Sequence, residues 1–253
     1  MLFAIPWLGK IILGTTDTPC GDIKYEPIAL AEEVEFILRE AARYLNRAPT
    51  RQDVKSIWVG LRPLVKPLDD EVQGSDTKTI SREHTVLISP SGLVTVTGGK
   101  WTTYRAMAED VLVKCVQNNL LQPLPPSRTG NFLLVGAAPD HSGRATLTGI
   151  PGPQAYGSES IWLQSVPGHD IELTAGLSEA MVRFAVRYEY ARTVEDVLAR
   201  RSRLLFLDAR AAARLGPRVA EILSQEGVLK PRLAEFLSLA EHFSHLPSSA
   251  VGP

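Results

Sequence analysis

The sequence predicts an α+β chain, with a mixed sheet and helices in its first half and an all-α end. Three observations carry this. Short β-branched and apolar runs alternate with helical stripes through the first 125 residues. A stretch rich in Pro, Gly and Ser follows, from Gln122 to Gly176. From Ser178 onward, apolar residues recur at helical spacing behind capping signals. The expected divisions are 1–125 for the mixed part, 126–177 for a linker and irregular docking segment, 178–245 for a helical domain and 246–253 for a tail.

Taken in order, Lys10 to Gly14 (KIILG) reads as a buried strand, ended by the polar turn Thr15-Thr16-Asp17-Thr18-Pro19. Residues 28–46 place Ala31, Val34, Ile37, Leu38, Ala41, Ala42 and Leu45 on one helical stripe. Strands are expected at Val54–Val59, Glu83–Ser89 and Gly92–Thr97. The last alternates cleanly and runs into Gly98-Gly99, after which residues 101–119 have helical period. Ser178 can cap the first helix of the α-domain, and Thr193 and Asp196 have capping-box spacing. Gly216-Pro217 reads as a break between two further helices. The run Arg200-Arg201-Ser202-Arg203 reads as an ion-paired, solvated helix face.

Composition names no function. The chain has 253 residues, 44% hydrophobic and 22% charged, with a net charge of −1. No global field therefore draws it to nucleic acid or to an anionic bilayer, and any anion site must be local. Cys20 and Cys115 form no CxxC or Cys/His metal spacing and read as reduced thiols, so no metal is expected. The apolar start, MLFAIPWLGKIILG, lacks a basic leading region and is broken by Pro6 and Gly9. No stretch approaches the roughly 20 apolar residues of a membrane span. A cytoplasmic location is expected, with peripheral association at the inner face of the membrane left open.

The strongest local signal is a strand that ends in Gly98-Gly99-Lys100 and opens into a helix. Free backbone N–H groups and the positive helix end favour an anion or electron-rich oxygen there, and Lys100 adds charge. Glycine lets a ligand approach the backbone, although a bare Gly-Gly turn is also common as structure. Arg62 precedes Pro63 among apolar neighbours, so its guanidinium needs an anionic partner: a ligand or a core carboxylate. Arg82 and His84 share one strand face and could point into one site, or simply decorate a surface strand. Asp17 could orient a neighbour or close an Asx turn. There is no GxSxG, HExxH or Walker A pattern.

In sequence order, Ile5-Pro6-Trp7, Ile12 to Asp17, Gly60 to Leu64, Ile80-Ser81-Arg82 and Gly98 to Arg105 resemble the signature blocks of FAD-dependent glycerol-3-phosphate dehydrogenases. Ala191 to Arg201 resembles the same family's C-terminal helical domain. The resemblance implies a DAO-like FAD/substrate domain followed by an α-domain. It further implies oxidation of sn-glycerol 3-phosphate to dihydroxyacetone phosphate with FAD as hydride acceptor and a quinone downstream. Carried over, Arg62 and Arg82 bind the substrate phosphate, Lys100 is catalytic, and Gly98, Gly99, Lys100, Trp101 and Thr102 face the flavin. No GxGxxG occurs in these residues, so an N-terminal FAD-binding half is an expected partner. A homodimer is also compatible. The competing readings are a non-catalytic interaction module and an amine- or hydroxy-acid oxidase relative.

Overall fold

The computed structural model describes residues 2–61, 84–137 and 146–248. In chain order the regular elements are β1 (Phe3–Trp7), β2 (Lys10–Gly14), α1 (Ala31–Ala42), β3 (His84–Ile88), β4 (Val94–Gly98) and α2 (Tyr104–Gln117). Then come α3 (Ser160–Leu163), β5 (Glu172–Thr174), β6 (Leu177–Ser178), α4 (Glu179–Tyr188), α5 (Leu204–Leu207), α6 (Ala209–Gln225) and α7 (Leu233–Ser244). The α+β class is thus realised as small sheets and helices, with a helical end. Among the described residues the strands form three antiparallel pairs, β1–β2, β3–β4 and β5–β6. Two compact units are present: Met1–Thr18, Asp22–Gly60 and Leu133–Pro253 form one, and Pro19–Gly21 with Leu61–Phe132 the other.

In the first unit, β1 and β2 pair with Trp7 opposite Lys10. The two-residue turn between them, Leu8-Gly9, has positive φ at both positions (48° and 80°), which matches the right-handed strand twist. Its N–H groups do not go to water: Leu8 donates to the Leu147 carbonyl at 2.7 Å and Gly9 to that of Thr148 at 3.1 Å. Behind β2, Glu33 of α1 accepts the Leu30 N–H at 3.0 Å and the Thr18 hydroxyl at 2.6 Å, tying the following loop to the helix start.

Residues 54–59 depart from expectation, since no strand forms there. Their backbone groups are taken by helices instead. The Ile57 N–H donates to the Phe243 carbonyl at 2.8 Å, and the Lys55 carbonyl accepts from Ala209 at 3.2 Å. Ser56 Oγ donates to the Leu205 carbonyl at 2.8 Å. Trp58 meets Phe206 edge-on, with 5.2 Å between ring centroids. A β-branched run is a fair strand signal, but here the hydrogen bonds on offer came from a bundle.

That bundle holds the main core. Phe184, Val194, Val197, Leu198, Leu205, Val219, Ile222, Leu223 and Phe236 are each at most 1% exposed. Leu163, Val166 and Leu177, from the Pro/Gly-rich stretch before it, join the same cluster. Ser178 caps α4 by accepting the Met181 N–H at 3.4 Å. The box at Thr193 is reciprocal: Asp196 donates its N–H to Thr193 Oγ1, and its carboxylate accepts the Thr193 N–H, both at 3.0 Å. Arg200 pairs with Glu195 at 2.6 Å and Asp196 at 3.0 Å, which makes the basic run an ion-paired face. Glu179 is buried, and Arg218 Nε donates to it at 2.9 Å, as a desolvated carboxylate requires.

The expected break at Gly216-Pro217 does not occur, because α6 runs through both. Asp208 caps its start, accepting the Ala211 N–H at 2.8 Å. Pro217 sits on the exposed side, while Ala212, Gly216, Val219, Ile222 and Leu223 bury one face. Burial on that scale outweighs the roughly 3 kcal/mol that an interior proline costs a helix.

Candidate functional site

The second unit is built on the β3–β4 hairpin and α2. Register puts His84 opposite Gly98 and Ile88 opposite Val94. The hairpin closes through Ser89, whose N–H donates to the Leu93 carbonyl at 3.0 Å, with Gly92 at φ 82°. Val86 and Cys115 are buried and pin strand and helix to the unit's interior.

At the end of β4 the chain takes two consecutive left-handed steps, Gly98 at φ 74° and Gly99 at φ 79°. Residues with a Cβ pay roughly 1–2 kcal/mol for each such step, so the glycines are what permit the reversal. Lys100 then returns to extended backbone, and a 3-10 turn over Trp101–Thr103 leads into α2. Among the described residues no side chain caps either that turn or α2. The Thr103 and Tyr104 N–H groups are taken by the Lys100 and Trp101 carbonyls; among the described residues those of Trp101 and Thr102 make no hydrogen bond, and Lys100 next to them is exposed.

The turn has two unlike sides. A Cβ on Gly99 would lie 2.7 Å from Met107 Sδ and 3.0 Å from His84 Cβ, so the inner side is full. A ligand can approach only from the outer side, where Lys100, Trp101 and Thr102 are exposed. Trp101 is 84% exposed and stacks on Tyr104 at 5.3 Å, with 23° between the rings. An electron-rich indole left this open suits a planar, electron-poor ring.

Beneath the turn, His84 Nε2 lies 3.0 Å from Asp110 Oδ2, and Lys114 Nζ approaches the same oxygen at 3.4 Å. The His84 hydrogen bond, against a smaller opposing effect of burial and with help from Lys114, holds the Asp110 carboxyl below the usual carboxylate range.

The structure therefore gathers Gly98, Gly99, Lys100, Trp101, Thr102 and His84 around one turn. Arg62 and Arg82 lie outside the described residues. Asp17 lies in the coil after β2, in the first unit. The large groove of that unit, about 840 Å³ and lined mainly by β2, α1 and residues 45–60, contains none of the expected site residues. Asp110 and Lys114 were not anticipated, although a signal existed: Met107, Asp110 and Lys114 fall on one face of the helix. Among the described residues, no group of His, Cys, Asp and Glu could hold a metal ion, and no helix is long and apolar enough to cross a membrane.

The chain is similar to several known proteins. Residues 1–105, which include the glycine turn, match the FAD dependent oxidoreductase family. Residues 156–230 match the C-terminal domain of alpha-glycerophosphate oxidase. The first part of the chain is thus similar to FAD dependent oxidoreductases, and part of its helical end to a domain of alpha-glycerophosphate oxidase. The chain is also similar to part of several glycerol-3-phosphate dehydrogenases. It is 37% identical to the mitochondrial enzyme of Bos taurus over 89% of its own length and 33% of that protein's. It is 36% identical to mitochondrial glycerol-3-phosphate dehydrogenase SDP6 of Arabidopsis thaliana over 89% and 40% of the respective chains. The corresponding values for the Schizosaccharomyces pombe enzyme are 31%, 89% and 42%. The chain thus spans between about a third and just over two fifths of these relatives' length.

The turn fits one edge of a flavin. Its uncapped N–H groups and ammonium are donors of the kind that a ring carrying carbonyl oxygens accepts. The filled inner side leaves the outer face as the place for it.

Proposed function

We propose that this chain supplies the substrate and flavin-ring side of an enzyme that oxidises sn-glycerol 3-phosphate to dihydroxyacetone phosphate. FAD, held mainly by an N-terminal partner half, would supply the hydride acceptor. The observation that carries this is the turn behind Gly98-Gly99, where Lys100, Trp101 and Thr102 are exposed and the Trp101 and Thr102 N–H groups make no hydrogen bond among the described residues. Donors fixed at such a place stabilise negative charge arising on a ring edge without reorganising. Lys100 would put its charge beside the substrate hydroxyl and favour loss of its proton. Arg62 and Arg82 would hold the phosphate and so position the carbon that loses hydride. Resemblance alone supports a quinone as the downstream acceptor and a station at a membrane surface.

The test uses the chain co-produced with the remaining portion of the Bos taurus enzyme, assayed by dye reduction with sn-glycerol 3-phosphate. Arg62→Ala is expected to raise KM at least tenfold, since a charge-assisted contact contributes roughly 1.5–3 kcal/mol. Dye reduction indifferent to this change would point to another substrate, and flavin retained without turnover would reject the mechanism.

A further inference from the structure

The pair beneath the glycine turn has no part in the function just described, yet it closes a ring of contacts around it. β3 meets β4 at His84 opposite Gly98. β4 passes through the turn into α2, and α2 returns to β3 through Asp110, 3.0 Å from the imidazole. The turn is thus spanned from both ends. Its inner wall is the base of His84 and the thioether of Met107, which leave no room for a Cβ on Gly99.

We propose that Asp110 is a positioning residue: through His84 it fixes the inner wall of the Gly98–Thr103 turn and so aims Lys100 and Trp101 at the bound ring. This rests on the flavin reading given above. Three features distinguish it from ordinary hairpin reinforcement. The pair joins a strand to a helix, not strand to strand. It sits directly under the two left-handed residues, where backbone without side chains has most freedom to relax. The side chains it would aim are exposed, so little packing beyond the Tyr104 ring holds Trp101 in place. Lys114, the carboxylate's other partner, lies further along the same helix. It can steady Asp110 but cannot link it to the strand.

The experiment compares Asp110→Ala, Asp110→Asn, His84→Ala and the Asp110→Ala/His84→Ala pair in the 253-residue chain and in its complex with the Bos taurus portion. Hydrogen exchange is read on peptides covering 98–104, with 105–117 and the bundle as controls, and the visible circular dichroism of bound flavin reports ring orientation. Asp110→Ala is expected to speed exchange of the turn about tenfold while the controls hold, and to alter the flavin signal and weaken flavin retention by a similar factor. Asp110→Asn keeps an oxygen for the imidazole N–H and should recover most of both. The double variant should be no worse than either single one, because both remove the same link. Turn exchange equal to that of the parent in Asp110→Ala overturns the proposal, as do additive effects in the double variant. If Asp110→Ala also loosens 105–117, Asp110→Asn and His84→Ala decide by the same criteria. A parent complex that holds no flavin would sink the flavin reading instead, while the exchange arm still judges the link.

Discussion

Glu189 closes the C-terminal end of α4, where the helix dipole disfavours a negative charge. Its Oε2 is buried without a hydrogen-bond partner. Burial pushes the carboxyl above its usual range against the pull of Arg201 and Arg203, and Glu159 adds to the push. A raised folded-state pKa means stability is lost as pH climbs through it, since the folded chain then sheds a proton it prefers to keep. Glu189→Gln should therefore raise the melting temperature at pH 7 by roughly 1–2 °C and make no difference below about pH 4, where the parent is protonated folded and unfolded. Thermal melts across that range would check it, and a lower melting temperature at pH 7 would contradict it. Glu226 shows the opposite arrangement. Its hydrogen bond to Arg187, opposed by burial and joined by Arg183, draws its carboxyl down, so that network is strongest at neutral pH.

At the scale of elements, α6 shows what the sequence conceals. Gly216 and Pro217 together look like punctuation, but Gly216 has another task. A Cβ there would come 3.1 Å from Leu233 and 3.5 Å from Phe236 and Leu237, so the missing side chain is what lets α7 lie close. Gly216→Val should destabilise the bundle by roughly 1–3 kcal/mol, through overcrowding and not through helix propensity. An unchanged denaturation midpoint would show that α7 moves aside freely. Legibility followed the range of the forces involved. The Thr193–Asp196 box, the Ser178 cap and the glycine turn were readable because each is settled within a few residues. The run 54–59 was not, because its partners Leu205, Ala209 and Phe243 lie some 150–190 positions away. Asp110 hid for the same reason. Its helix is plain in the sequence, but nothing local says that the imidazole it meets stands on β3.

Across the whole chain, burial is uneven. Fully buried large side chains belong to the helical end. Among the described residues of the first 125, the buried apolar set is Val34, Ala41, Val86 and Cys115, while Phe3, Ile5, Ile11, Leu87, Val96 and Trp101 stay exposed. Exposed apolar side chains of this kind, taken in each unit by itself, suit a covering partner, and the relatives are two to three times longer than this chain. The bundle gives this chain a core of its own. The glycine turn, by contrast, has an open outer face, which the proposed function would cover with the flavin ring.

The most direct measurement is the visible spectrum of the chain purified together with the Bos taurus portion, followed anaerobically as sn-glycerol 3-phosphate is added. The account predicts a yellow complex whose oxidised-flavin bands bleach on addition, and much less so when Lys100→Ala is used. A yellow complex whose spectrum ignores the substrate, or one that bleaches equally without Lys100, would contradict it.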